Sequence, residues 1–518
     1  MTASVQPGTG KATLLVRGGR VYDPHGDVHA PPVRDILIED GIITAVTCPD
    51  EDIEAKQSAA RRGDVLDATG KLVMPGFVNA HYHSYDTLAK GLFEDMPFDI
   101  WALVALPAAY GARSRAELRA RTLLGALECI KHGITTVQDM CTVVPLDEET
   151  LDVILAAYEE AGIRVVFSIG LRDLGELDIA PFLPADIPAA ARDLIRGAPA
   201  DPVAILDFVE RQIRRRATLP PTLHWGISPS GPQRSSRTLL EGVADLGRRH
   251  ALPIFTHVYE TKAQAAKARR IYDAHGGSMI RYMADAGLLG PRTTLAHSVW
   301  ITPEEIELLG TSGTNVAHNP ISNMKLKNGI APIKELRNAG VTLAVGCDNC
   351  SCSDCQNIFE VMKMFCLLAA VANPEPTGVH AVHAIEAATS GGARAVGLDG
   401  KIGAVRAGLT ADLCLIDLDD VSYVPLNSAA RQLVYSECGR GVDTVIVGGR
   451  ILMRNRRTTT IDEAALRAEV ADLMPVFLRD AERIRKTSAA AVPCLLEANA
   501  NVDRHQIGLD RFITRRST

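Results

Sequence analysis

One recurrence constrains this chain more than any other feature. Between residues 71 and 348, about eight short apolar segments rich in β-branched residues alternate with stretches of helical spacing. The strand candidates are 71–79, 134–139, 164–169, 222–228, 253–258, 293–298, 314–319 and 342–348. Residues 115–131, 151–161 and 236–249 carry the clearest helical periods between them. The longest crossover, 171–221, exceeds an ordinary loop and is expected to hold helices at 189–195 and 201–216. Strands separated by helices pair in parallel, because each connection must cross back over the sheet. The expected class is α/β, and about eight such units predict a (β/α)8 barrel of TIM type.

The flanks have a different texture. Residues 13–21 and 33–46 read as short strands broken by turns at Asp23-Pro24-His25-Gly26 and Glu39-Asp40-Gly41. Residues 411–418 and 442–453 are also strand-like, with a hairpin signal at Val447-Gly448-Gly449-Arg450. Barrel termini can lie close together, so the two flanks are expected to pair as a small β-sandwich domain. The predicted division is 1–74 and 400–460 for that domain, 75–399 for the barrel, and 461–518 for a helical C-terminal extension. Residues 461–486 are amphipathic with helical spacing. The last thirty or so residues lack a clear period and are expected to form a partner-facing arm or to be partly disordered.

Composition serves mainly to exclude. Of the 518 residues, 47% are hydrophobic and 23% charged, which rules out wholesale disorder. The net charge of −7 gives no electrostatic reason to expect nucleic acid or an acidic membrane as partner. No apolar run at residues 1–11 suits a signal peptide, and none elsewhere suits a spanning helix. Eleven cysteines, an odd number in a large chain, fit a reducing cytoplasm better than a disulfide scaffold. A cytoplasmic protein with a small-molecule substrate, assembled as a homodimer or higher homo-oligomer, is expected.

Chemistry concentrates at predicted strand ends. Pro75-Gly76-Phe77-Val78-Asn79-Ala80-His81-Tyr82-His83 places two imidazoles one residue apart just past a strand. On an extended backbone both project to one side and can reach one cation. Alone, such a pair could equally be two surface histidines. Other strand candidates, however, end in His257 with Glu260, His297, His318-Asn319 and Asp348, and barrel active sites gather strand-end residues on one face.

With these motifs the chain resembles the amidohydrolase superfamily, in the branch of metal-dependent deaminases and aminohydrolases that includes triazine hydrolases, guanine deaminase and adenosine-type deaminases. The resemblance spans residues 12–460. Besides the first motif it rests on 91–101, Gly133-Ile134-Thr135-Thr136-Val137, Thr256-His257-Val258-Tyr259-Glu260, Leu295-Ala296-His297, 316–326, Gly346-Cys347-Asp348 and the segment 402–412. It implies that His81, His83, His257 and Asp348 bind one divalent metal, Zn²⁺ or Fe²⁺. It implies that Glu260 carries a proton to a ring nitrogen, that His297 contacts the water or the developing alkoxide, and that Asp348 doubles as ligand and proton acceptor. Two-metal relatives use a barrel lysine, and neither 222–228 nor 164–169 contains one, so a mononuclear site is expected.

Two departures stand out. Where many relatives carry a substrate-contacting histidine, this chain reads Ile227-Ser228-Pro229-Ser230-Gly231-Pro232-Gln233. The loss argues against adenosine-type nucleosides and favours the triazine side of the branch. The second is the run Cys347-Asp348-Asn349-Cys350-Ser351-Cys352-Ser353-Asp354-Cys355, whose spacing alone would suit a structural metal. Asp348 lies inside it, so pocket-wall thiols are expected instead. Trp101, Gln233, His318 and Asn349 are the expected substrate contacts.

The expected reaction is hydrolytic displacement of an amino or alkylamino group from an electron-poor nitrogen heterocycle such as an aminotriazine, purine or pyrimidine. The same machinery could hydrolyse an acyclic urea, carbamate or amide, or dechlorinate a heterocycle. A catalytically silent binding or assembly protein is the alternative of a different class; every expected ligand position is filled, which argues against it.

Overall fold

A computed structural model describes residues 13–51, 56, 65–373 and 375–512. The apolar-poor stretch 1–11 and the final residues 513–518 of the extension lie outside the described residues. The central strands are Phe77–His83, Ile134–Cys141, Arg164–Leu171, Leu223–Trp225 with Ser228–Pro229, Ile254–Val258, Thr293–His297, Asn315–His318, and Leu343–Val345 with Asp348–Asn349. Every pairing among them is parallel. The arrangement is of TIM-barrel type, as two parallel sheets. The segment 343–349 belongs to both. Leu343–Val345 pairs with Asn315–His318, while Asp348–Asn349 pairs with Phe77–His83. On the other side a parallel bridge joins Ile227 to Ile254.

The two chain ends meet in one nine-stranded sheet. Lys71–Pro75 is its junction, parallel to Thr13–Val21 and antiparallel to Leu413–Asp417. The expected strand 71–79 is therefore two strands, with its first half in this sheet and Phe77–His83 in the barrel. Gly76 permits the switch: a Cβ there would lie 2.2 Å from the Thr135 side chain. The sheet has its own core, including Val16, Ile36, Ile38, Val73, Leu413 and Ile446. Arg164 on a barrel strand pairs with Asp412 through two bonds of 2.8 and 2.9 Å and ties the units together.

Helices start where capping side chains allow. Ser114, Asp147 and Ser236 each accept a backbone N–H from three residues on, opening Arg115–Lys131, Glu148–Ala161 and Arg237–Arg249. The long crossover holds helices Ala189–Arg196 and Pro202–Arg215.

The extension corrects one expectation. Glu463–Ser488 is helical, and so is Val492–Arg504. The second helix buries Leu495, Ala498 and Val502, and Asn501 donates to the Phe182 carbonyl at 2.9 Å. It docks on the body of the chain rather than standing as an arm. A short apolar stripe sufficed, and its brevity hid the period. Among the described residues no helix is long and apolar enough to cross a membrane.

Candidate active site

The strand ends converge as the alternation requires. His81 and His83 close Phe77–His83, His257 lies in Ile254–Val258, His297 ends Thr293–His297, and Asp348 opens Asp348–Asn349. All five side chains are buried. His297 and Asp348 sit in the left-handed region, with φ of 71° and 63°, and Tyr259 between His257 and Glu260 has φ of 50°. Non-glycine residues pay for that conformation, and such strain collects where side chains must be aimed.

The geometry fits a cation. His83 donates from Nδ1 to the Met140 carbonyl at 2.6 Å, and His257 donates from Nδ1 to the Ser230 carbonyl at 2.5 Å. Each proton is thereby placed on the outer nitrogen, leaving lone pairs on both Nε2 atoms. Those two Nε2 atoms face each other at 3.3 Å. Two lone pairs at that distance repel unless a positive charge lies between them. The Asp348 Oδ1 is 3.4 Å from His83 Nε2 and 3.5 Å from His81 Nε2, and His81 Nε2 has no hydrogen-bond partner. Burial, then the neighbouring imidazoles, hold His81 and His257 well below the usual histidine pKa, so both are neutral donors. Three imidazoles and one carboxylate make a donor set suited to Zn²⁺ or Fe²⁺. Among the described residues no lysine lines the cavity to offer a carboxylated bridge.

Beside this cluster stand the two proton-handling candidates. Glu260 is buried, and its Oε1 accepts from Asn328 Nδ2 at 3.1 Å. Its Oε2 lies 3.9 Å from His297 Nε2. Burial, then the Asp348 carboxylate, push Glu260 up to about 8. His297 Nδ1 donates to Asn323 Oδ1 at 2.8 Å, which turns Nε2 toward Asp348 Oδ2 at 3.8 Å. Burial lowers its pKa, while Asp348 pulls the other way.

A cavity of ≈ 910 Å³, counting its open mouth, stands over the cluster. Phe98, Trp101, Leu106, Met140, Leu177 and Leu326 give it an apolar wall, and Asn349 lies at its base. Trp101 is held by a 2.9 Å bond from Nε1 to Ser351 Oγ. The structure thus brings Trp101 and Asn349 to the cavity. It does not bring Gln233 or His318 there. Gln233 is buried and donates to Asp178 Oδ2 at 3.1 Å. His318 packs edge-on against Phe365, and burial takes its pKa down to about 3. Both were expected substrate contacts; neither lines the cavity, Gln233 because its turn, Pro232–Arg234, hands its amide to Asp178, and His318 because its place at the end of Asn315–His318 does not fix side-chain direction.

Several lining residues escaped sequence reasoning. Arg234 pairs with Asp178 at 2.6 Å and lies 5.4 Å over the Phe98 ring. Arg172 and Asp178 come from the long crossover, which carries no motif. Arg234 was the detectable one, since it directly follows Gln233. The cysteine run splits. Cys352 packs with Phe98, Trp101 and Leu326, whereas Cys350 points to Gln356 and Glu128, at 3.4 and 3.9 Å. Among the described residues its thiols form no group that could hold a metal, and none of them lines the cavity, so the expected pocket-wall role is not seen.

Comparison with known proteins places the chain in a family. The amidohydrolase family model matches residues 72–452. A 5-methylthioadenosine/S-adenosylhomocysteine deaminase from Thermococcus onnurineus is 33% identical over 444 residues, covering 86% of this chain and 95% of the relative. A 5'-deoxyadenosine deaminase from Methanothermobacter thermautotrophicus is 31% identical, covering 87% and 95%. Among solved structures, a zinc-bound adenosine deaminase from Xanthomonas campestris superposes with TM-score 0.75 at 26% identity, covering 91% of this chain and 98% of its own. A zinc-complexed atrazine chlorohydrolase from Arthrobacter aurescens superposes with TM-score 0.77 at 23% identity, covering 89% and 100%; at that identity it bears on the fold alone.

Proposed function

The chain belongs to the amidohydrolase family and hydrolyses carbon–nitrogen bonds, and from that premise we propose that it deaminates an amino-substituted, electron-poor nitrogen heterocycle. One observation carries the reading. A buried carboxyl, Glu260, stands beside His297 and Asp348 but outside the imidazole cluster. In an acyl hydrolase Asp348 alone can carry the water's proton to the leaving amine, whereas a ring deaminase needs a second group to protonate the ring nitrogen.

His81, His83, His257 and Asp348 would hold the metal, and zinc is the ion we propose from the nitrogen–oxygen donor set. When bound, the ion supplies Lewis acidity and a water activated near neutral pH. Asp348 accepts the proton that the attacking water sheds. Glu260 delivers a proton to the ring nitrogen, which makes the adjacent carbon electrophilic. Its high pKa keeps that proton available at neutral pH, and transfer of this kind contributes about 10²–10⁴-fold. His297, neutral with its proton on Nδ1, accepts at Nε2 a hydrogen bond from the attacking water. Asp348 then passes its proton to the departing amine while Glu260 takes the proton of the new hydroxyl, so the tetrahedral carbon collapses to a ring carbonyl and both carboxyl groups return to their starting states.

The relatives named as adenosine-type deaminases make 6-aminopurine nucleosides the first class to try. Ser230 supports a second reading. Its carbonyl accepts from the His257 imidazole, and Ser230 lies in the segment where many relatives of the branch carry a substrate-contacting histidine and this chain does not, which leaves room for amino- or alkylaminotriazines. A panel of both classes, read by release of ammonia or alkylamine, decides between them. Glu260→Gln should retain metal and lose at least about 10²-fold in kcat on the true substrate. Near-full activity in that variant would replace ring protonation with hydrolysis of an acyclic urea or amide.

A further inference from the structure

The turn Pro232–Arg234 stands in the segment where this chain departs from its branch, and its last residue is an arginine that lines the catalytic cavity. The backbone there is fixed on both sides. Arg234 N donates to the Gly231 carbonyl at 3.0 Å, and Leu174 N, on the long crossover, donates to the Arg234 carbonyl at 3.1 Å.

The guanidinium is fixed as well. Its Nε and Nη2 donate to Asp178 Oδ2 at 3.1 and 2.6 Å, and its Cζ lies 5.4 Å from the centre of the Phe98 ring. One edge of the plane is thus committed to a buried carboxylate and one face to an aromatic ring. Nη1 donates to no group among the described residues. Solvent can serve it only until a substrate fills the cavity. Binding then depends on what the substrate offers in place of water.

Arg234 also stands close to the proton carrier. Burial, then Asp348, raise the Glu260 pKa, and the Arg234 charge is the largest influence pulling it down. A ring nitrogen that takes the Glu260 proton therefore lies near the guanidinium. So does the ring carbon bonded to that nitrogen on the side away from the amine. An oxo oxygen on that carbon accepts a charge-assisted bond, whereas a C–H leaves the charged donor unpaired.

We propose that Arg234 is a specificity-determining residue, and that the substrate is an amino-oxo heterocycle whose amine-bearing and oxo-bearing carbons flank one ring nitrogen. The inference rests on the ring-deaminase reading and narrows its substrate class to aminopyrimidinones, aminopurinones and amino-oxotriazines of that pattern. As the oxygen of water adds to the amine-bearing carbon, the C–N π pair moves onto the ring nitrogen, which takes the Glu260 proton. The Arg234 N–H on the oxo oxygen draws electron density from the same ring and eases that addition.

The test uses the full, metal-loaded chain and pairs of rings that differ by the oxo group: cytosine with 4-aminopyrimidine, isoguanosine with adenosine, azacytosine with aminotriazine. Ammonia release gives kcat/KM for each. At least one oxo ring should exceed its partner by about 10²-fold or more. That ratio should fall toward one in Arg234→Met and in Arg234→Lys, which keeps a charge for Asp178 but loses the planar fork. Arg172→Met removes another guanidinium from the same cavity and should keep the ratio. A residue that merely pinned the crossover would lower both members alike, so a ratio left standing in the Arg234 variants overturns the inference. Silence on every pair overturns it too. If neither variant folds, crystals of Glu260→Gln soaked with the preferred oxo ring decide the matter: its oxygen within hydrogen-bond distance of Nη1 supports the assignment, and an oxygen elsewhere rejects it. Near-full activity of Glu260→Gln on an acyclic urea or amide rejects the ring-deaminase reading itself. A Glu260→Gln protein that is inactive, with a parent ratio near one, rejects only the role of Arg234.

Discussion

At the scale of single residues, the strongest constraint is the pair of lone pairs on His83 and His257, 3.3 Å apart. Removing one imidazole relieves the repulsion but also removes a ligand. His257→Ala should therefore lose both metal and activity, and metal analysis of the purified variant checks this; a metal-replete, active His257→Ala protein would refute the ligand assignment. Asp99 offers a separate test. It is 2% exposed with Oδ1 unpartnered, and burial, then the nearby Asp178, push it up to about 7. An acid whose folded pKa is raised binds its proton more tightly in the native state. Its favourable contribution is full below about 4, the unfolded value, and is lost as pH rises to about 7. Asp99→Asn imitates the protonated form at every pH. It should raise stability above pH 7 relative to the parent, with the difference shrinking toward pH 4. Unfolding midpoints at pH 8 and pH 5 measure this, and equal differences at both values would count against a buried, proton-binding Asp99.

At the scale of elements, the turn after Asp348 is the piece that must be held still. The short helix Cys350–Ser353 rests on Asp86, which follows the His81–His83 motif and accepts the Cys350 and Ser351 amides and the Ser351 hydroxyl. One carboxylate thus links both halves of the ligand set, and Ser351 passes the constraint on to Trp101. Asp86→Ala should weaken metal retention by about 10–100-fold, the usual cost of losing an outer partner. Dialysis against a chelator reads this directly, and unchanged retention would show that the turn holds itself. The alternation of strands and helices and the order of the motifs were legible in the sequence because periodicity and residue type carry them. Hence Arg115–Lys131 and the convergence of His81, His83, His257, His297 and Asp348 could be anticipated. Asp86, Asn323, Asn328 and Asp178 could not. Their roles depend on which distant segment folds against them, and no local spacing records that. Gly76 illustrates the same limit. The boundary expected between residues 74 and 75 fell beside the switch of sheets, but the need for glycine there was hidden, because it comes from the Thr135 side chain packed against it.

At the scale of the whole molecule, the C-terminal extension acts as a brace. The helix Glu463–Ser488 begins beside the nine-stranded sheet, where Lys131 pairs with Glu463, and runs past the barrel helix Arg115–Lys131 to the region of the cavity mouth. Arg119 pairs with Glu469 at 2.8 Å and Arg113 with Asp480 at 2.6 Å along the way. These pairs are at least partly exposed, and such contacts contribute little each. The apolar anchor, Phe477, carries more. It is 5% exposed, stacks on Tyr110 with centroids 5.2 Å apart, and packs with Leu88 and Ala89 just after the metal motif. Tyr110 belongs to the short helix Pro107–Tyr110, whose first residue lines the catalytic cavity. Phe477→Ala should cost about 3 kcal/mol, the low end for a buried phenylalanine because it borders a small cavity rather than solid packing on one side. It should also free Pro107–Tyr110 and so raise KM more than it lowers kcat, since no group that handles protons is touched. Phe477→Leu refills most of the volume and should restore stability and KM together. If Phe477→Ala unfolds at the parent's midpoint, or if KM stays fixed while stability falls, the extension is a passive attachment and the cavity wall stands without it.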